Sequence, residues 1–209
     1  MPPSIPNDIY QFSTISALHA GYTTGQPHTS DLTTHGTHGI GIYESGTLML
    51  LKDSRAFQIS KAGAAEPAPA NARLPFAVVT MYEPSFKAKI GGVTIDSLDA
   101  LVSGDEFGPA KGVNTLMPFL IAGRFASIEF ADGPGRSDID GTLFGFVVPE
   151  WLKGICGPRI HGVFLDASEE VGGKVEDFRM HDEAVLSFAK CGRFHLGFPQ
   201  GEDWEALKI

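Results

Sequence analysis

The chain has 209 residues, of which 43% are apolar and 20% are charged, a composition typical of a folded globular protein. Acidic residues outnumber basic ones by 25 to 16, which gives a formal net charge of −9. Binding to a phosphate backbone needs clustered Lys and Arg side chains, and the sequence contains no basic run. We therefore expect a small-molecule partner and no nucleic acid partner.

The sequence also indicates where the protein works. Its first residues, Met-Pro-Pro-Ser-Ile-Pro, lack the basic and apolar regions of a secretory signal. Its longest apolar stretches, such as residues 117–122, fall far short of the ~20 residues that a membrane span requires. Cys156 and Cys191 could form a disulfide, but two reduced thiols are the favoured interpretation for a chain of this size. We expect a cytoplasmic protein with no membrane partner.

The predicted secondary structure is mostly β. Twenty-five Gly and 14 Pro divide the chain into short segments, which favours strands and turns over long helices. The sequence predicts a helix over residues 14–20 and another over residues 97–102, with Ser97 as N-cap and Gly104 at the end. Alternating or apolar runs predict strands at residues 39–43, 47–51, 56–60, 76–81, 86–90, 119–130, 141–148, 161–165, 173–180, 184–189 and 194–198. Residues 62–70 and 131–137 are predicted to be loops.

Motifs for catalysis are scarce. His35 and His38 stand close together as His-Gly-Thr-His-Gly, which could bring two imidazoles to a metal but is more typical of polar loop residues. The sequence contains no HExxH, HxH, GxSxG or Walker A motif. Its 15 Phe are enough to build a core, and some of them could also line an apolar ligand pocket. These residues alone predict a β-rich domain and assign no reaction to it.

Several segments, in the same order along the chain, resemble α-acetolactate decarboxylases. They are residues 9–18 with Ala20-Gly21, HGTHGIG at 35–41, PFAVVT at 75–80, GTLFGF at 141–146 with Pro-Glu-Trp at 149–151, GGKVEDF at 172–178 and FHLGFP at 194–199. The resemblance implies an α+β, mostly β fold of two fused β-sheet layers, one N-terminal and mixed, one C-terminal and antiparallel. It also implies a homodimer. We expect a β-rich half at residues 1–112 and a tightly fused half at 113–209 that carries the pocket.

The same resemblance implies one zinc held by three histidines, two from an HxH strand and one from a GGH turn. Here the HxH strand reads His161-Gly162-Val163, and the GGH turn ends in Lys174. One imidazole of three is therefore retained, because an isopropyl group cannot bind a metal and an ammonium is a poor ligand. We expect no metal and no cofactor, unless His38 or His195 replaces a lost ligand.

Other positions that the resemblance marks as functional have also changed. The acidic residue of the family's hairpin falls on Thr47, its Arg falls near Ala131, and the Glu of its last segment falls on Gly197. We therefore assign His161 and Lys174 as candidate catalytic residues, and Thr47, Val163 and His195 as candidate substrate-binding residues.

Three functions follow from this pattern. The first is a repurposed, metal-independent lyase, isomerase or cyclase, of which a pericyclase is one form, acting on an apolar or polyketide-like substrate of secondary metabolism. Aromatic walls would then supply proximity and orientation. The second is an authentic acetolactate decarboxylase, a carboxy-lyase giving acetoin, with a rearranged zinc site. The third is a non-catalytic ligand-binding protein.

Overall fold

Two β-sheets form the body of the protein in a computed structural model that describes residues 6–104 and 113–209. The first sheet has the strand order β12-β1-β6-β2-β3-β4-β5, and the second has the order β10-β9-β8-β11-β7. The strands of the first sheet are β1 Ile9–Phe12, β2 His38–Ile42, β3 Leu48–Lys52, β4 Arg55–Ile59, β5 Ala65–Pro67, β6 Phe76–Thr80 and β12 Phe194–Gly197. Those of the second are β7 Phe86–Ile90, β8 Met117–Phe130, β9 Arg136–Val147, β10 Ile160–Asp166 and β11 Gly172–Phe188.

The strand directions confirm the predicted architecture. In the first sheet β12 runs parallel to β1 while the other described neighbours are antiparallel, so this sheet is mixed. In the second sheet the described neighbours are all antiparallel. Strand β10 pairs with β9 along its whole length and also with the first residues of β11, so this sheet curls towards closure.

A shared apolar core holds the two sheets face to face. From the first sheet it takes buried residues such as Ile40, Leu50 and Phe76, and from the second it takes residues such as Phe146 and Val163. A second core lies within the curled sheet beneath the third helix, and a third lies on the other face of the first sheet. Burial of apolar side chains, worth ~25 cal/mol per Å², is the term that joins the sheets.

Helices are short, and all but the last of the described helices lie in the connections between strands. They are α1 Ile15–His19, α2 Thr29–Leu32, α3 Ile95–Ser103, α4 Lys153–Cys156 and α5 Glu202–Glu205, with a 3₁₀ turn at Glu150–Leu152 before α4. The two predicted helices correspond to α1 and α3. The N-cap of α3 is Thr94, however, and Ser97 is its third residue. The two side chains form a reciprocal capping box, a pattern that hides the true first residue.

The strand predictions agree with the structure except at a few places. Strand β1 was not predicted, and β5 lies inside the stretch predicted as a loop at residues 62–70. Two strands predicted at residues 173–180 and 184–189 form the single strand β11, whose pairing with β8 shifts register at bulges. A bulge inserts unpaired residues without ending a strand, so it is easily mistaken for a turn.

The sheets do not divide at residue 112. Strand β7 comes from the first half of the chain and lies in the second sheet, whereas β12 comes from the second half and lies in the first. The predicted boundary after residue 112 adjoins the stretch 105–112, which lies outside the described residues. Within the described residues, no helix has the length and apolar character to cross a membrane.

Candidate functional site

A cavity of about 670 Å³ lies at the junction of the two sheets. Helix α1 and strands β2, β3 and β6 form one side, and α4, the loop after it, β10 and β11 form the other. Its walls are mainly aliphatic, and Phe76 is the one Phe, Tyr or Trp among the described residues that line them. The apolar lining residues are Ile15, Leu18, Ile40, Ile42, Leu48, Phe76, Pro158 and Val163. Its polar side chains are Ser16, His19, Lys153, His161 and Lys174. The volume suits a drug-sized organic molecule.

His161 is the buried polar residue of this cavity. Alternate residues of a strand face the same side, so His161 and Val163 of β10 both face the cavity. The imidazole packs over the α-carbon of Gly157, which has φ +123 and where a Cβ would come within 3.3 Å of the ring's Cε1. The side chain is 8% exposed, and its Nε2 has no hydrogen-bond partner among the described residues.

The protonation state of His161 follows from this position. Burial, and then the charge of Lys174, lower the pKa of the imidazole from 6.5 to about 4. His161 is therefore neutral at neutral pH. A buried neutral imidazole with an unpaired nitrogen can accept a proton or a hydrogen bond from a ligand in the cavity, or donate one to it.

Lys174 lies directly opposite Val163 in the register of β10 and β11. Cross-strand partners of this kind lie ~5 Å apart at Cβ, which places position 174 beside the face that carries His161. Lys174 is exposed and forms no ion pair with the described residues. The predicted pair His161 and Lys174 thus contributes to one cavity, with the imidazole buried and the ammonium hydrated.

The three positions that the resemblance assigns to zinc do converge, but their side chains do not fit the metal. They present one imidazole, one isopropyl group and one ammonium, whereas zinc needs three or four neutral or anionic N, S or O ligands. No three His, Cys, Asp or Glu side chains of residues 6–104 and 113–209 are grouped to hold a metal ion. The donor set therefore does not support a zinc centre in this cavity.

His38 and His195 do not supply the missing ligands. His38 is buried between the rings of Tyr82 and Phe144, and its Nε2 lies 3.5 Å from Asp53. His195 stacks on Tyr10, with ring centroids 4.4 Å apart, on the edge strand β12. Neither side chain lines the cavity.

Thr47, like His195, is not among the cavity-lining residues, although both were assigned to substrate binding. Thr47 lies in the turn between β2 and β3, where its hydroxyl lies 2.8 Å from that of Ser45, and the neighbouring Leu48 takes the wall position. His195 is separated from β2 by β1 and β6. Val163, the third assigned residue, does line the wall.

Three polar residues of the cavity were not predicted as site residues: Ser16, His19 and Lys153. A usable signal existed for His19, since Ile15, Leu18 and His19 have the i, i+3, i+4 spacing of one helix face. No such signal exists for Lys153, because α4 was not predicted as a helix.

Comparison with known proteins agrees with this architecture. The family model for alpha-acetolactate decarboxylase matches residues 9–137 and 134–209. The alpha-acetolactate decarboxylase of Methylococcus capsulatus is 29% identical to the chain, over 93% of this chain and 81% of its own length. That of Methanosarcina mazei is 30% identical, over 97% of this chain and 77% of its own length.

Solved structures show the same fold. A protein of unknown function similar to alpha-acetolactate decarboxylase, from Staphylococcus aureus, superimposes with a TM-score of 0.87 at 22% identity, covering 97% of this chain and 94% of its own. Alpha-acetolactate decarboxylase from Bacillus subtilis superimposes with a TM-score of 0.85 at 22% identity, covering 96% and 93%. The chain therefore belongs to the alpha-acetolactate decarboxylase family.

Proposed function

We propose that this family member is a metal-independent enzyme, a lyase, isomerase or cyclase, that converts a predominantly apolar small molecule in the cavity between the sheets. The observation that carries the proposal is His161, a buried neutral imidazole whose Nε2 lacks a partner among the described residues, in a cavity whose walls are mainly apolar. An unpaired buried nitrogen is costly to folding, and a ligand group that pairs with it offsets that cost.

The chemistry open to these residues is proton transfer and orientation. Because the pKa of His161 is about 4, the imidazole stays neutral at neutral pH and can accept a hydrogen bond from an O–H group of the substrate, such as an enol, and share its proton as that group reacts. Lys174 can place positive charge near an oxygen that becomes negative. The aliphatic and aromatic walls, including Ile40 and Phe76, hold an apolar substrate in one orientation and exclude water.

An authentic acetolactate decarboxylase is the second candidate, and family membership favours it. Against it stand Val163 and Lys174, which leave a single imidazole where the resemblance implies three. The third candidate, a ligand-binding protein without turnover, uses the same cavity but leaves His161 without a chemical role.

The decisive experiment supplies acetolactate to the purified protein, with and without added Zn²⁺, and measures acetoin. The Bacillus subtilis relative serves as the positive control. We expect no acetoin from this chain under either condition. Zinc-dependent acetoin formation would overturn the proposal in favour of the decarboxylase.

A second experiment separates turnover from binding. A small-molecule cell extract is incubated with the wild type or with His161→Ala, and products are followed by mass spectrometry. We expect a conversion that only the wild type performs. A compound that both proteins retain unchanged would support the ligand-binding function instead.

We also propose that the protein works in the cytoplasm as a homodimer. Free Cys156 and Cys191 thiols are compatible with a reducing compartment. Sedimentation velocity measures the oligomeric state directly, and a monomer at micromolar concentration would contradict the dimer.

A further inference from the structure

The charge of the cavity is opposite in sign to that of the protein. The chain carries a formal net charge of −9. Among the described residues that line the cavity there is no Asp or Glu, but there are two lysines, Lys153 and Lys174. A cavity lined by charges of one sign, with low-dielectric walls, attracts ligands of the other sign. The ligand is therefore expected to bring negative charge.

The two lysines differ in how far their charge is already balanced. The Nζ of Lys153 lies 3.7 Å from a carboxylate oxygen of Glu150, one helical turn away. Lys174 has no ion pair with any described residue, and its charge acts on His161, which burial keeps neutral. The cavity thus presents one uncompensated ammonium beside a neutral imidazole.

The apolar side chains of the cavity indicate the chemical character of the uncharged part of the ligand. Around this single charge, the walls formed by β2, β3 and β6 present Ile40, Ile42, Leu48 and Phe76. Such a surface favours an apolar body of drug-like size. The second ammonium of the cavity, that of Lys153, is already paired with Glu150, so a dianion such as a phosphate ester meets a single unpaired cation among the described lining residues.

Resting on the proposed function, we infer that the substrate is a bulky apolar monocarboxylate whose carboxylate is bound by Lys174 beside His161 Nε2. The apolar body then lies against the β2, β3 and β6 walls. This arrangement assigns Lys174 a positioning role for the anion and leaves the imidazole next to the carbon atoms adjoining the carboxylate.

The test uses three probes of similar size that share a naphthalene ring and differ in charge: 2-naphthoate, 2-naphthylmethanol and 2-naphthylmethylammonium. Calorimetric titration of the full chain measures the affinity of each, and the ratio of naphthoate to naphthylmethanol affinity is the readout. We expect this ratio to be ~10 at low salt, to fall with added salt, and to approach 1 in Lys174→Met. The ammonium probe is expected to bind weakest.

Two further variants control the experiment. Lys174→Arg keeps the charge and should keep the ratio. Lys87→Met removes an exposed lysine of β7 that does not line the cavity, and it should also leave the ratio unchanged. Circular dichroism verifies that each variant is folded.

The outcomes separate this inference from the function on which it rests. If naphthylmethanol binds as well as naphthoate, or if Lys174→Met leaves the ratio unchanged, the anion inference is wrong while the apolar cavity stands. If none of the probes binds, both the inference and the proposed apolar substrate are overturned.

Discussion

Val163 and Lys174 are direct cross-strand partners in β10 and β11, and His161 lies two residues from Val163 on the same face. The backbone therefore keeps three positions close together although only one of them carries a metal ligand. Converting the two others to histidine places three imidazoles on one surface, the ligand set of a zinc tripod.

The first prediction is that Val163→His with Lys174→His creates a zinc site. If each added imidazole contributes about 1.4 kcal/mol, the double variant binds Zn²⁺ ~100-fold more tightly than the wild type. Competition with a chromophoric chelator measures the affinity, and each single variant is a control with two imidazoles. A folded double variant with wild-type zinc affinity would contradict the assigned register.

The second prediction concerns the natural protein. The described side chains of the cavity include two imidazoles, His19 and His161, and no group of three metal ligands. We therefore expect the purified chain to carry well below one equivalent of zinc after desalting. Elemental analysis by mass spectrometry measures the content, and a zinc-binding relative purified in the same way is the control. One equivalent of zinc that only a strong chelator removes would contradict this prediction, because it would require metal ligands beyond the described side chains of the cavity.

The third prediction is a loss of stability at mildly acidic pH. Below pH 6.5 the unfolded chain protonates the imidazole of residue 161, whereas in the folded chain burial and Lys174 lower its pKa to about 4. The unfolded state then binds more protons, so the contribution of His161 to stability is intact above pH 6.5 and is lost between pH 6.5 and 4. At pH 5 this loss is about 2 kcal/mol.

Comparison with His161→Gln isolates that effect, since an amide does not titrate. Urea unfolding at pH 7 and pH 5 should show that the wild type loses about 2 kcal/mol more than the variant. His38, whose pKa burial also lowers, is present in both proteins and cancels in the comparison. Equal losses in the two proteins would mean that the imidazole of His161 is accessible to water.

Much of the fold could be predicted because it rests on local patterns. Period-two alternation marks strands such as β9, and the Gly and Pro tracts mark many of the turns. The failures have local causes too: the Thr94–Ser97 capping box displaced a helix start, and bulges divided β11. Strand β5 was missed because its Ala-Glu-Pro sequence has low β-propensity, and pairing with β4 overrides that preference.

The site could be predicted only where sequence neighbours are also neighbours in space. His161 and Val163 share a face because they are two residues apart on a strand, and the family-like segment around Lys174 indicated the third position. Lys153 reaches the cavity through the packing of α4 against α1, which no local pattern contains. His19, in contrast, lies on the helix face that its spacing from Ile15 and Leu18 indicates. Thr47 was assigned by position in a hairpin, and the turn directs its hydroxyl to Ser45.

The fourth prediction is that both cysteines react slowly in the native protein. Burial raises the pKa of Cys156 to about 12 and that of Cys191 to about 11, so the reactive thiolate is scarce at neutral pH. Iodoacetamide labelling at pH 7.5, followed by mass spectrometry, should modify the native chain far more slowly than the urea-unfolded chain. Rapid labelling of Cys156 in the native state would show that α4 opens.

The fifth prediction tests the close contact of strands β9 and β10 that positions His161. Gly145 lies opposite Gly162, and a Cβ on Gly145 would collide with the backbone carbonyl oxygen of His161. Gly145→Ala must therefore push β10 away from β9, at a cost of about 1–3 kcal/mol, and displace the imidazole from its place in the cavity. Gly197→Ala is the matched control, because a Cβ on that residue of β12 would lie 3.6 Å from the ring of Phe12, an ordinary contact. Urea unfolding should show that the stability of Gly197→Ala lies within ~0.5 kcal/mol of the wild type and that Gly145→Ala loses more. Equal stability of the two variants would show that the β9–β10 contact tolerates a side chain.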